Sequence, residues 1–105
     1  MIKRIRRDLE QVKAKKYHQF EDLDPIIQRC INGYSHLFPR IQINKRGSKI
    51  VYHFHVHEVS AISIEKQHGS RDSIPRYFAK GIIAGIDDLI TYIEGNVDNN
   101  TVSEE

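Results

Sequence analysis

The chain has 105 residues, 39% apolar and 29% charged, with a formal net charge of +2, which suits one domain with a modest core and does not by itself announce a nucleic-acid partner. No apolar run reaches the roughly 20 residues of a membrane span, because the longest window, 78–93, is interrupted by Lys80, Asp87 and Asp88. The basic start lacks the apolar stretch of a secretory signal, and a single cysteine, Cys30, leaves no internal disulfide, so the expected location is the cytoplasm.

In chain order, Ile2, Ile5, Leu9, Val12 and Phe20, with Lys16 taking one stripe position, recur at three- and four-residue spacing and predict a basic amphipathic helix over 2–20. Asp24 as a cap, Pro25 early and Gly33 at the end predict a short helix over 24–32 with Ile26, Ile27, Cys30 and Ile31 on its apolar side. The period then falls to two. Strands are predicted over 40–45, 49–57 and 60–66, the first two joined by a tight turn at Lys45-Arg46-Gly47-Ser48. After a polar loop around His68-Gly69-Ser70, a helix is predicted over 74–94, with Ser73 as its cap, Pro75 in its first turn and Gly95 past its end. Its apolar stripe is Phe78, Ile82, Ile86, Leu89 and Ile93, and Gly81 and Gly85 lie where a close approach to a sheet would use them. The polar, acidic residues 96–105 read as a disordered tail. The expected architecture is α+β, in the order α-α-β-β-β-α: a single domain over 1–95 in which a three-stranded antiparallel meander carries its helices packed on one face.

On the second predicted strand, His53, His55 and His57 project to one face, opposite Tyr52, Phe54 and Val56. With Glu65 from the third strand they form a candidate divalent-metal set, although residues two apart on one strand stand about 6.5–7 Å apart and converge poorly on one ion. Cations gather on several elements. Arg4, Arg6 and Arg7 on the first helix, Lys45 and Arg46 at the hairpin, and Arg71 and Arg76 near the last helix are the candidate nucleic-acid contacts.

Two local resemblances bear on chemistry. His53-Phe54-His55 and His55-Val56-His57, with Tyr77-Phe78-Ala79-Lys80, are similar to the metal motif and catalytic helix of the His-hydrophobic-His nicking enzymes of rolling-circle replication. That resemblance implies histidines on a divalent ion, Tyr77 attacking a DNA phosphate and Lys80 positioning it. It covers only these two motifs, and the core-facing Phe78 and Ile82 would keep Tyr77 a sheet thickness from the histidines. Arg46-Gly47-Ser48 before a strand and Ile74-Pro75-Arg76 opening a helix loosely resemble the small mRNA-cleaving toxins of the HicA type, with Lys49 standing where their catalytic histidine is expected.

The reading that follows is a small binding or regulatory protein without a cofactor and without catalytic activity, contacting nucleic acid or a protein partner through its basic helices and histidine-rich strand. The alternative is a phosphodiesterase that uses His53, His55 and His57, with a divalent metal or without one. Ile83 and Ile90 fall off the main helix stripe, which points either to packing under the first helix or to a homodimer.

Overall fold

The computed structural model describes residues 1–66 and 73–97. The loop around His68, the cation Arg71 and the acidic tail from residue 98 onward lie outside the described residues. The expected order holds: α1 (Ile2–Lys13), α2 (Phe20–Gly33), a short 3-10 turn (Ser35–Leu37), β1 (Gln42–Arg46), β2 (Lys49–His53), β3 (Ile62–Glu65) and α3 (Arg76–Asn96). The strands form one antiparallel sheet in the order β1-β2-β3.

Several boundaries move, each for a local reason. α1 stops at Lys13 rather than near residue 20, because the apolar stripe fails at Lys16 and the Lys15 N–H turns back to the Val12 carbonyl at 3.0 Å. Phe20 instead opens α2. The Asp22 carboxylate accepts the Gln19 N–H at 2.9 Å, and the Asp22 N–H returns a bond of 2.9 Å to the Gln19 carbonyl, so the chain is capped one turn before Asp24. Asp24 is therefore inside the helix and buried, not a cap, and Pro25 also lies within α2. At the far end, Ser73 makes no cap; α3 begins after Pro75 and runs through Gly95 to Asn96.

The β1–β2 hairpin pairs Arg46 with Lys49, leaving the two-residue loop Gly47-Ser48. Gly47 has φ +60°, the left-handed conformation that hairpin loops of this length require and that glycine adopts without strain. β1 is exposed along its whole length, Ile43 included, because the helices cover only the sheet's other side of β2 and β3.

The core lies between β2–β3 and the three helices. Tyr52, Phe54, Ile62 and Ile64 meet Ile5 and Leu9 of α1, Leu23, Ile27 and Cys30 of α2, and Ile86, Leu89, Ile90 and Ile93 of α3. Ile90 is fully buried and Ile83 packs partly against the same cluster; α3 meets both α1 and α2, so its apolar face is wider than a single stripe. Phe78 departs the other way: it is 59% exposed, and Ala79 takes the inward position. Burial also pushes the Cys30 thiol up to about 12, the state of a small core hydrophobe.

A polar pair, Tyr52 and Asp24, is buried with the core. The Tyr52 hydroxyl donates to Asp24 Oδ1 at 2.5 Å and accepts from Gln28 Nε2 at 2.8 Å, which ties β2 to α2. At the surface, Arg6 joins α1 to α3: it meets the Asp87 carboxylate, holds both Glu94 oxygens at 2.8 and 3.1 Å, and donates to Thr91 Oγ1 at 3.0 Å. Arg6, with Lys13 beside it, holds the Asp87 carboxyl below the usual carboxylate range. Because Asp87 gives up its proton more readily when folded, its contribution is present above about pH 4 and is lost as pH falls through the lowered folded value. Wild type should therefore lose stability on acidification more steeply than Asp87→Asn, measured as urea midpoints between neutral pH and pH 3; parallel losses would count against this pairing.

The two glycines of α3 separate. A Cβ at Gly85 would lie 3.1 Å from Ile62 Cγ1, whereas one at Gly81 would meet nothing within 4 Å. Gly81→Ala should stabilise by about 0.5–1 kcal/mol through helix propensity alone. At Gly85 the same gain is offset by crowding against β3, so thermal melts should separate the two variants; equal gains would show that close helix–sheet contact is not what holds Gly85.

Candidate nucleic-acid interface

The histidine strand is shorter than its alternation suggests. β2 ends at His53, and His55 has φ +57°, a left-handed conformation uncommon for a residue with a side chain. The chain then reverses, with Val56 bridged to Val59 and the Val59 N–H donating to the Val56 carbonyl at 3.3 Å. His53 and His55 stack with ring centroids 5.9 Å apart, His55 Nε2 meets Gln42 Oε1 at 3.1 Å, and His57 is exposed in the turn.

Glu65 is not with them. The register sets Glu65 opposite Lys49, four residues before His53 and so about 13 Å along the strand at ~3.3 Å per residue. Among the described residues, no group of three or more His, Cys, Asp or Glu is placed to hold a metal ion. The set His53, His55, His57 and Glu65 is thus divided between the end of β2, a turn, and the far end of β3. Across the hairpin Gln42 pairs with His53, and Asn44 with Val51.

Tyr77 and Lys80, the other candidate catalytic residues, lie elsewhere. The Ile74 N–H donates to the His18 carbonyl at 2.8 Å, which fastens the start of α3 to the α1–α2 connection. Between them is a depression of about 470 Å³ lined by Lys13, Lys15, Lys16, His18, Arg76, Tyr77 and Lys80, floored by Ala79 and Ile83. Five of these side chains are cations and none is a carboxylate.

These cations have different duties. Lys13 reaches Asp87 at 3.0 Å and Glu10 at 3.2 Å, and Lys15 reaches Asp22 at 2.7 Å. Burial works against the charged Asp22, but Lys15 and the Gln19 N–H outweigh it and hold its carboxyl below the usual range. Lys16, Arg76 and Lys80 make no ion pair among the described residues, although Lys16 Nζ stands 5.6 Å from the Tyr17 ring centroid. Arg76 and Lys80 are one turn apart on α3, whose first turn carries no acidic residue, so the positive end of the helix adds to theirs. The His18 ring donates from Nε2 to the Val12 carbonyl at 2.7 Å, which employs it in holding the α1 terminus.

Beside the cleft, Tyr77 is 83% exposed and its ring lies edge-on to Phe78, centroids 5.5 Å apart at 79°. Of the sequence-level contacts, Arg76 is thus in the cleft with Tyr77 and Lys80. Arg4 and Arg7 are exposed on α1, Lys45 and Arg46 are exposed at the end of β1, and Arg6 is committed to α3. Lys13, Lys15, Lys16 and His18 had no place in the sequence-level site; the signal for them was the cationic run that breaks the α1 stripe at Lys16. No protein-family profile, curated protein or solved structure matches the chain.

Proposed function

We propose that the protein binds single-stranded nucleic acid in the cleft between the α1–α2 connection and the start of α3, and does so without cutting it. The observation that carries this reading is the meeting of five cations with the exposed ring of Tyr77, itself edge-on to the exposed Phe78. Cations at a concave surface attract a phosphate backbone irrespective of sequence, and rings open to solvent offer faces on which unpaired bases stack. A duplex keeps its bases stacked on one another and has no use for the second feature.

The binding reading is favoured over the phosphodiesterase by the same geometry. His18, the imidazole in the cleft, is held by the Val12 carbonyl, and His53, His55 and His57 belong to another part of the molecule. The fold adds that no helix among the described residues is long and apolar enough to cross a membrane.

Fluorescence anisotropy with a labelled single-stranded oligonucleotide and its duplex tests the proposal. The single strand should bind more tightly, with log affinity falling linearly in log salt. No binding at low salt, or a preference for the duplex, would sink it.

A further inference from the structure

On the other side of Tyr77 and Phe78 a larger groove of about 1190 Å³ runs between β3 and α3. We infer that this groove is a two-fold interface, in which a second copy of the chain pairs its own β3 antiparallel with this one and lays its α3 alongside.

β3 is an outer strand of the sheet. The Lys66 N–H donates to the Ser48 carbonyl at 3.0 Å, in line with the β2–β3 register. Backbone groups alternate along a strand, so Ile64 and Ile62 turn theirs to β2 and Ser63 turns its N–H and C=O outward. The opposite edge is guarded: β1 carries Lys45 and Arg46, the kind of residue that discourages strand addition. At β3 the buried Ile62 and Ile64 alternate with exposed Ser63 and Glu65, so the edge offers backbone pairing without a lysine or a proline of its own.

The helix wall says what fits. A two-fold axis at Ser63 pairs Ser63 with its counterpart, and the two α3 helices become antiparallel neighbours. Gly85 packs against Ile62, one strand residue from Ser63, so at about 1.5 Å rise per helical residue against 3.3 Å per strand residue the axis meets α3 within about two residues of Gly85, a stretch that includes Ala84. The face there is small, with Gly81, Ala84 and Gly85 lining the groove, so two helices can approach without large side chains between them. Lys80 and Asp88 also line it, each four residues from Ala84 on opposite sides. A two-fold at Ala84 sets Lys80 of each copy against Asp88 of the other, twice. A patch that complements itself in charge about its own midpoint is what a second copy requires; a strand of arbitrary sequence does not.

Sedimentation equilibrium on the full chain, up to about 1 mM where even weak association is populated, tests this. Wild type should pass from monomer to dimer with concentration. Ser63→Pro, which removes only an outward N–H, and Asp88→Lys, which sets like charges against each other on an exposed helix face, should each weaken association by at least about tenfold. The exchange Lys80→Asp with Asp88→Lys should restore it. A wild type that stays monomeric overturns the inference, as does a dimer indifferent to Asp88→Lys; that variant also stands alone if Ser63→Pro disturbs folding. The readout is mass without nucleic acid, so its failure leaves the binding cleft untouched.

Discussion

Replacing Lys16, Arg76 and Lys80 together by alanine should reduce affinity for a single-stranded oligonucleotide by on the order of a hundredfold at low salt, and flatten the log–log salt slope by about two, at roughly 0.7 per lost phosphate contact. These three are chosen because they make no ion pair within the described fold, so their removal breaks no bond between elements; Lys13 and Lys15 would confound binding with stability. Tyr77→Ala should act differently. Loss of a stacking face costs about 1–3 kcal/mol per base and leaves the salt slope unchanged, because no cation is lost. The contrast is the useful result. If the triple variant keeps its affinity, the cleft is a solvated basic surface; if Tyr77→Ala changes the slope but not the salt-independent intercept, the ring is not stacking.

Tyr52→Phe should be the most damaging single-atom change to the fold, costing about 2–3 kcal/mol and lowering Tm by roughly 10–15 °C in a domain of this size. The ring keeps its place in the core, but the hydroxyl between Asp24 and Gln28 disappears, leaving a carboxylate 8% exposed without its donor. Adding Asp24→Leu should recover much of the loss, because removing both partners of a buried bond costs less than removing one. Absence of recovery would mean the penalty is packing rather than the orphaned carboxylate. The same burial, with the Asp24 carboxylate beside the hydroxyl, raises the Tyr52 phenol above its ordinary range. Stability from this group is thus present below about pH 10 and is lost as pH rises through the raised folded value, so alkaline melts should show the advantage of wild type over Tyr52→Phe holding at neutral pH and narrowing above about pH 10.

The element order and the sheet's pairing were legible in the sequence because they rest on local periodicity. Ile50, Tyr52 and Phe54 alternate as a one-sided strand must, Gly47 stands where the hairpin needs a positive φ, and the α2 stripe and, Phe78 apart, the α3 stripe bury what their spacing says. The site was legible only in pieces. Arg76, Tyr77 and Lys80 stood in the sequence as separate candidates, and Lys13, Lys15 and Lys16 as part of a basic helix. That they share one cleft depends on where α1 stops and on the Ile74–His18 bond, both of which involve residues distant in the chain.

By itself, then, the sequence determined the α-α-β-β-β-α succession, since hydrogen bonding and side-chain alternation within each element act over a few residues. The tertiary structure alone decided three matters. It ended β2 at His53, where the left-handed turn at His55 breaks the alternation that had aligned three imidazoles. It turned Phe78 outward, because Ala79 fills the space against the core and Ile83 and Ile90 share the burial that a single stripe had assigned to the aromatic ring. And it committed Arg6 to α3 while leaving Arg76 and Lys80 to the cleft, since which cation finds a carboxylate is set by the packing of helices on one another and not by the run of charge along either one.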